Sequence, residues 1–350
     1  MNRFKQLFSA LFLGANLCCL TALWLCCLST WVAPARLPLV SVMGLMFPVA
    51  LSINIAFVVF WLIFRVRYTL VPLIGMLLVG SYIYDYCPVR LASAPQDGET
   101  LTVVTFNAGG IQSDSMRARF TEYVRQLQPD IVCLQEFQHT WFQREDAKAL
   151  MDEMHYTHVT SGNNHIMTRL PILSDTIHIA YPTRNNSSIA CWVGRDGDSI
   201  LVVNNHLESN QLNDEDKQEY RDMIKDPHRQ AVKEGSRHLL SKLSQAAVYR
   251  GAQTDVLCHI ADSIAPHPII MAGDFNDTPI SYTYQKISRR LSSVYRQSGS
   301  GFGRSFNQSG FLVRIDHIFI SDHWTSSDTY IDQEFDISDH YPLVTRLYRR

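Results

Sequence analysis

The chain has 350 residues, of which 31 are basic, 33 acidic and 46% hydrophobic. Residues 1–90 hold six of the basic residues and one acid, Asp85, so subtraction leaves 25 basic and 32 acidic residues, a net of −7, for residues 91–350. An acidic domain is a poor general trap for nucleic acid unless a basic groove or a bound cation intervenes, because that affinity rests on neutralising phosphates.

In chain order, the first ninety residues carry three long apolar runs. Residues 7–28 hold no charge, enough to cross a ~30 Å hydrocarbon core, and 39–64 repeat the pattern. A third, shorter run over 68–86 contains Pro72 and Gly75. A signal peptide would explain the first run alone. Arg3 and Lys5 precede the first run, and Arg65 and Arg67 sit between the second and third. With three spans, the tendency of short basic loops to stay cytoplasmic places these groups inside and everything after residue 87 outside. Two spans would reverse that side. The spans hold no ion pair of the kind that marks a transport path, so a plain anchor is expected. Residues 91–100, small and polar, read as a linker.

Residues 101–107 predict a strand, then a glycine turn, and 116–130 a helix with Phe120, Val124 and Leu127 on one face. "IVCLQEF" predicts a buried strand, residues 164–181 strand–turn–strand, and residues 188–209 a hairpin turning at Asp196-Gly197. Residues 213–263 read as polar and helical, 267–273 as a strand, and "FLVRIDHIFIS" and "YPLVTRLYR" as the last strands. Hairpins interspersed with helices argue for antiparallel or mixed sheets covered by helices. Eight cysteines contain no CxxC pair, so neither a zinc site nor a disulfide framework is suggested.

The same design recurs at several strand ends. An apolar run stops and a polar group able to bind metal or phosphate follows: Asn107, Glu136, His206, Asp274 with Asn276, Asp316, and Asp339 with His340. Each alone has a duller explanation, such as an Asx-turn, a helix cap or a structural histidine. Together they resemble the endonuclease/exonuclease/phosphatase superfamily, which includes magnesium-dependent nucleases, inositol-phosphate phosphatases and sphingomyelinases. "GDFN" and the late "SDHYP" carry the resemblance, with "LQE", "NNHL" and "RIDHIFIS" between them, in family order across residues 101–350.

The resemblance implies a four-layer αββα sandwich of two mostly antiparallel sheets, with the site at one end of the sheets. It implies Mg²⁺, with Mn²⁺ as the alternative ion, held by Glu136, by Asn107 through its carbonyl or a bound water, and by Asp339 if a second carboxylate is used. A hard ion of this kind favours carboxylate, amide oxygen and water. Asp274 would accept the proton of the attacking water and Asn276 would position that water. His340 would contact the scissile phosphate or act as the base, Asp316 would orient it, and His206 would donate to a phosphate oxygen.

The expected activity is metal-assisted hydrolysis of a phosphodiester next to a membrane, with a phospholipid head group favoured by the short tether. A tethered nuclease is the alternative, and a non-catalytic binding module a further one that predicts a missing site residue. No obligate protein partner is suggested. The glycine-rich "SGSGFGR" (298–304) lacks the Gly-Lys-Ser/Thr ending of a nucleotide loop and reads as a flexible loop at the mouth of the site. Residues 213–222 read as a solvated helix start or a lid, and Arg229, Lys233 and Arg237 share one helical face.

Overall fold

The apolar runs pair into two six-stranded sheets. The computed structural model describes residues 3–90, 99–109, 111, 113–183, 186–213, 215, 216, 218, 231–308 and 311–350. Numbered in chain order, the first sheet runs β11 (Trp324–Ile331), β12 (Leu343–Arg349), β1 (Thr100–Asn107), β2 (Ile131–Gln135), β4 (Asn164–Thr168), β3 (Thr157–Ser161). The second runs β5 (Ile177–Ile179), β6 (Ser188–Arg195), β7 (Asp198–His206), β8 (Ile269–Asp274), β10 (Asp316–Ile320), β9 (Ser292–Ser293). Each sheet holds one parallel pair, β1 with β2 and β7 with β8, and all its other pairs are antiparallel.

Three apolar layers explain the sandwich. Val103, Cys133 and Leu343 of the first sheet meet Cys191, Val202, Ile270 and Ile318 of the second in the central core. The outer face of the first sheet buries Phe106, Val132 and Val344 beneath α6 (Asp114–Leu127) and α7 (Glu145–Glu153). On the second sheet, Val203, Met271 and Phe319 lie beneath α8 (Ala231–Ile264) and α9 (Tyr282–Ser288). Strands covered on both faces read as continuous apolar runs, and β8 is buried along its whole length.

Local signals hold where their chemistry is complete. Ser113 caps α6 by accepting from Met116 N at 3.2 Å, and Phe120 and Val124 face the core. The β6–β7 hairpin turns at Asp196 and Gly197, both at positive φ, which suits the right-handed twist of the strands. The α7 helix and strands β3 and β11 were not anticipated. Thr157–Ser161 is only half-buried at the sheet edge and lacks a strong apolar alternation. Residues 214, 217 and 219–230 lie outside the described residues, and with them most of the expected lid and Arg229.

Ahead of this domain, Gln6–Thr30 and Pro38–Phe64 are long and apolar enough to cross a membrane, with mean hydropathies of 2.1 and 2.3. The first covers most of α1 (Arg3–Cys27), and the second contains α2 (Pro38–Val42) and α3 (Phe47–Phe64). The expected third run is a broken pair, α4 (Leu70–Leu77) and α5 (Gly80–Tyr86), within segments that meet at 69°. Pro72 sits in the first turn of α4, where its missing N–H costs nothing, and the break falls at Leu78–Val79. Gly75 lets α4 approach α1, since a Cβ there would stand 2.4 Å from Leu20.

The N-terminal helices touch the domain directly. Ser29 Oγ shares its one proton between Cys26 O at 2.7 Å and Ile280 O at 3.0 Å, and a Cβ on Gly44 would lie 1.9 Å from the Ile280 carbonyl oxygen. Asp85, the one acid of the first ninety residues, is buried and accepts from Gln285 Nε2 at 2.8 Å and from Arg296. Arg314, fully buried, donates to Asp85 O at 2.6 Å and stacks on Tyr295. The glycine-rich stretch after α10 (Val294–Ser298) is fastened here: Gly301 N donates to Pro88 O at 2.8 Å, and Gly303, at φ +63°, packs against the Tyr295 ring. It is therefore part of the anchor contact rather than a free loop, because the Tyr295 ring leaves no room for a side chain at residue 303.

Candidate active site

The register of the sheets brings the polar strand ends to one place. Asn107 pairs with Gln135 across β1 and β2, so Glu136 projects just beyond. His206 pairs with Asp274 across β7 and β8, and Asp274 pairs with Asp316 across β8 and β10. His340 precedes β12 and forms a bridge with Phe306. The two sheets thus present their ends side by side.

Gly273 lets β8 come this close. It has φ +143°, and a Cβ would lie 2.0 Å from Asn205 O. Two other site residues, Glu136 and Asn276, have φ of 52°. Asparagine tolerates that left-handed region; glutamate does so at a cost on the order of 1 kcal/mol, which the surrounding pairing holds in place.

Polar contacts join the set. Asn107 Nδ2 donates to Glu136 Oε1 at 3.2 Å and to Asp274 Oδ2 at 3.0 Å, crossing from the first sheet to the second. Its Oδ1 accepts from Gly109 N at 3.0 Å, which leaves one lone pair. His206 Nε2, buried and without a hydrogen bond among the described residues, stands 3.4 Å from Glu136 Oε1 and 4.0 Å from Asp274 Oδ2. His340 Nε2 is 3.7 Å from Asp274 Oδ2, and His340 Nδ1 donates to Asp316 Oδ2 at 2.8 Å. Asn276 N donates to Asp274 Oδ1 at 2.8 Å, while its side-chain amide donates to Leu207 O at 3.1 Å. Asp339 is half-buried beside His340, and its main-chain oxygen accepts from Asn307 N at 2.6 Å. Seven of the eight expected residues are therefore joined in one cluster, and Asp339 lies next to His340 in the chain. Among the described residues no hydrogen bond links Asp339 to Asn107 or Glu136.

Burial alone would lower the pKa of His340. Asp316 and Asp274, then the hydrogen bond to Asp316, and Asp339 outweigh it and raise it to about 10. Burial also works against the Asp316 carboxylate and pushes it up, so the two groups contest a proton. The neighbouring Asp274 and Asp339 decide in favour of the imidazole, which is a cation at neutral pH.

Several supporting residues were not singled out from the sequence. Gln135 Nε2 donates to Asn204 Oδ1 at 2.6 Å, and Asn204 Nδ2 donates to Leu134 O and His165 O at 2.8 and 2.9 Å. This buried pair joins the sheets directly beneath the pocket. Their signal was a carboxamide inside each of the runs "IVCLQ" and "LVVNN". Ser338 Oγ, 2.7 Å from Gly109 O and 2.9 Å from Asn107 O, shares its one proton between these carbonyls and ties the "SDHYP" loop to the end of β1.

The donor set fits a hard divalent cation. Asp274, Asp316 and His340 each offer a ligand atom within 4.8 Å of the others, and Asn107 joins the Glu136 carboxylate to Asp274 beside them. A Cβ on Gly109 would lie 2.7 Å from Glu136 Oε2 and 3.2 Å from Asn107 Oδ1, so the glycine keeps both oxygens open.

A two-sheet sandwich with acids, amides and histidines converging at its rim is the architecture of a phosphoester hydrolase. The Endonuclease/Exonuclease/phosphatase family profile matches residues 104–340, and the chain belongs to that family. Its members are hydrolases of phosphoester bonds and generally use a divalent metal. A domain of unknown function, DUF8431, matches residues 9–86. No curated protein matches the chain.

Among solved structures, the human nocturnin catalytic domain shares 18% identity at a TM-score of 0.51, covering 72% of this chain and 94% of that one. An endonuclease/exonuclease/phosphatase from Bacteroides vulgatus shares 16% at 0.51, covering 72% and 100%. ANGEL2, a 2′,3′-cyclic phosphatase, shares 15% at 0.50, covering 71% and 95%. At these identities the likeness establishes the fold.

Proposed function

We propose that this chain is a membrane-anchored, divalent-metal-dependent phosphodiesterase whose active site is the pocket between the ends of β1, β2, β7, β8 and β10. The observation that carries this is the convergence of Glu136, His206, Asp274 and His340 across two sheets, with separations of 3.4 to 4.0 Å between their polar atoms. Glu136 and Asn107 would hold Mg²⁺ or Mn²⁺, with Asp339 available if a second carboxylate is needed. When bound, such an ion neutralises charge on the phosphate and its leaving oxygen.

The protein's own groups divide the rest. His340, held as a cation, cannot take a proton near neutral pH, so it donates from Nε2 to a phosphate oxygen. Asp274, next to it, is the group left to accept the proton of the attacking water. Asn276 fixes Asp274 through its main-chain N–H. Asp316 keeps the His340 proton on Nδ1 and aims Nε2 at the pocket. His206 Nε2, free of other hydrogen bonds among the described residues, is the second donor.

The anchor contacts favour a phospholipid head group over nucleic acid, because the loop that follows Asp274 rests on the anchor at Ile280. The net acidity of residues 91–350 supports the same choice. Placement of the domain on the exterior or periplasmic side follows from Arg3, Lys5, Arg65 and Arg67. These lie at the helix ends remote from Ser29, Gly44 and Asp85, which touch the domain. The test is hydrolysis of sphingomyelin, phosphatidylinositol phosphates, plasmid DNA and a chromogenic bis-ester, with and without Mg²⁺. Metal-dependent turnover of a lipid, lost in Glu136→Gln and His340→Ala, is expected. Turnover of DNA alone would favour the nuclease, and no metal-dependent turnover of any substrate would end the enzymatic proposal.

A further inference from the structure

Outside the catalytic pocket, three imidazoles meet on the outer side of the first sheet. His139 lies in the short helical turn His139–Gln143 that follows Glu136. His158 lies on β3 and His165 on β4. Thr160 is the register partner of His165, and His158 is two residues from Thr160, so His158 and His165 share a face as diagonal neighbours. The ring centroids of His139, His158 and His165 are 5.9–6.3 Å apart, and one ligand atom from each lies within 4.8 Å of the others. Phe142 stacks on His158 at 4.0 Å and backs the group.

His165 points to a ligand. Its ring is fully buried, and Nε2 sits 3.1 Å from Phe137 O. A carbonyl can only accept, so Nε2 carries the proton and Nδ1 is left with a lone pair. That Nδ1 is buried and has no hydrogen-bond partner among the described residues. An imidazole whose N–H is fixed by a main-chain carbonyl, with its other nitrogen unsatisfied, is the usual state of a metal-ligating histidine.

We propose that His139, His158 and His165 form a second metal site, distinct from the catalytic one, that takes a transition-metal ion of the Zn²⁺ class. Imidazole suits Zn²⁺, Co²⁺ and Cu²⁺, whereas Mg²⁺ prefers oxygen. Tetrahedral Zn–N bonds of about 2.0–2.1 Å put the nitrogens ~3.3 Å apart, so closure asks for a modest inward turn of His139 and His158. His139 is exposed and His158 half-buried, and both can make that turn. With three protein ligands the fourth position belongs to water. The bound ion ties the segment immediately after Glu136 to the β3–β4 hairpin, so it stiffens the strand end that bears the proposed catalytic carboxylate.

The test uses the full-length chain in detergent, with its purification tag removed, stripped of metal and then held in excess Mg²⁺. Co²⁺ is titrated in, its visible spectrum is recorded, and Zn²⁺ is added to displace it. Wild type and Glu136→Gln are each expected to take one equivalent with the intense band of a nitrogen-rich tetrahedral site, bleached by Zn²⁺. His139→Ala, a change at an exposed side chain, is expected to weaken that uptake at least ~10-fold, as is His158→Gln. No such band in wild type overturns the proposal, as does equal uptake in His139→Ala. A band that disappears only in Glu136→Gln assigns the ion to the catalytic pocket and overturns it equally.

Discussion

Replacing Asp316 by asparagine isolates the charge on His340. The exchange keeps the volume of a fully buried side chain and removes the negative charge 2.8 Å from His340 Nδ1. In the native protein the imidazole stands at about 10 against an ordinary 6.5. That rise corresponds to an upper bound of about 5 kcal/mol on the bias toward the cation, of which a bound divalent ion would offset part. Asp316 is the largest contributor to that rise and Asp274 the next. If the neutral carboxamide lets His340 return toward 6.5, about one molecule in ten is cationic at pH 7.5. Protonation alone then lowers kcat/KM at least ~10-fold, and loss of ring orientation can carry the effect toward ~10⁴-fold, the cost of Asp→Asn in a serine-protease triad. The sign of the pH dependence is the decisive readout. The variant should regain more than ~10-fold in kcat/KM between pH 8 and pH 6 as the imidazole recharges, while wild type shows no such rise from this group. Steady-state hydrolysis of a soluble bis-ester in Mg²⁺ measures it. An Asp316→Asn enzyme with undiminished activity, or one whose activity falls on acidification as a base would, refutes the assignment of His340 as a cationic donor.

Three further outcomes follow from the geometry. Gly109→Ala puts a Cβ where Glu136 Oε2 now lies; since Glu136 is exposed it can swing away, so kcat/KM should fall up to ~10²-fold while the unfolding temperature barely moves. His317 is buried and held near 3 by burial and by Arg314, so the stability it contributes is complete above pH ~6.5 and lost as pH falls toward 3. Its full weight is at most about 5 kcal/mol, so denaturant midpoints should drop across that window and drop less in His317→Gln. Gly44→Ala meets the Ile280 carbonyl, a backbone atom, and overpacking of ~1–3 kcal/mol should displace the anchor or the loop. Turnover of a lipid in vesicles should then fall more than turnover of a soluble ester, and equal loss on both would count against a positioning role for this contact.

Much of the catalytic domain was legible because its signals are local. The strands around Asn107, Glu136, His206 and Asp274 are apolar runs with a polar stop, and each stop marks the rim of the sandwich. What could not be read is what depends on pairing between distant segments. Asn204 looks like a strand residue in "LVVNN", and only the approach of β2 and β4 makes it the link between sheets. His139, His158 and His165 are scattered over 27 positions of sequence and meet only through the register of β3 with β4 and the turn after Glu136. Asp85 at the end of an apolar run gave no hint that Gln285, Arg296 and Arg314 would gather on it. Sheet-edge strands such as β3, half-buried and short, carry too little alternation to be recognised.

The contacts of Asp85 and Ile280 change the meaning of the anchor. A tether of small polar residues alone would leave the domain free to tumble above the bilayer. Here the loop that follows Asp274 is held along its length. The Asp277 carboxylate accepts from Arg250 at 3.3 Å, Asp277 O faces His317 Nε2 at 2.9 Å, and Ile280 O accepts from Ser29. Ile280, which contacts the end of the first apolar segment through Ser29, is therefore only six positions after the proposed base. Asp85 adds a buried contact with Arg296 and Gln285, and a buried charge is stable only when its partners stay in place. Removing residues 1–90 would leave Arg314 without the Asp85 carbonyl and expose Ile280, so the isolated domain should be less stable as well as unmoored. On the proposed membrane anchoring, these contacts make the apolar helices a rigid mount that fixes how the pocket meets the bilayer, a geometry that would suit a substrate whose scissile phosphate is held at a constant height above the membrane.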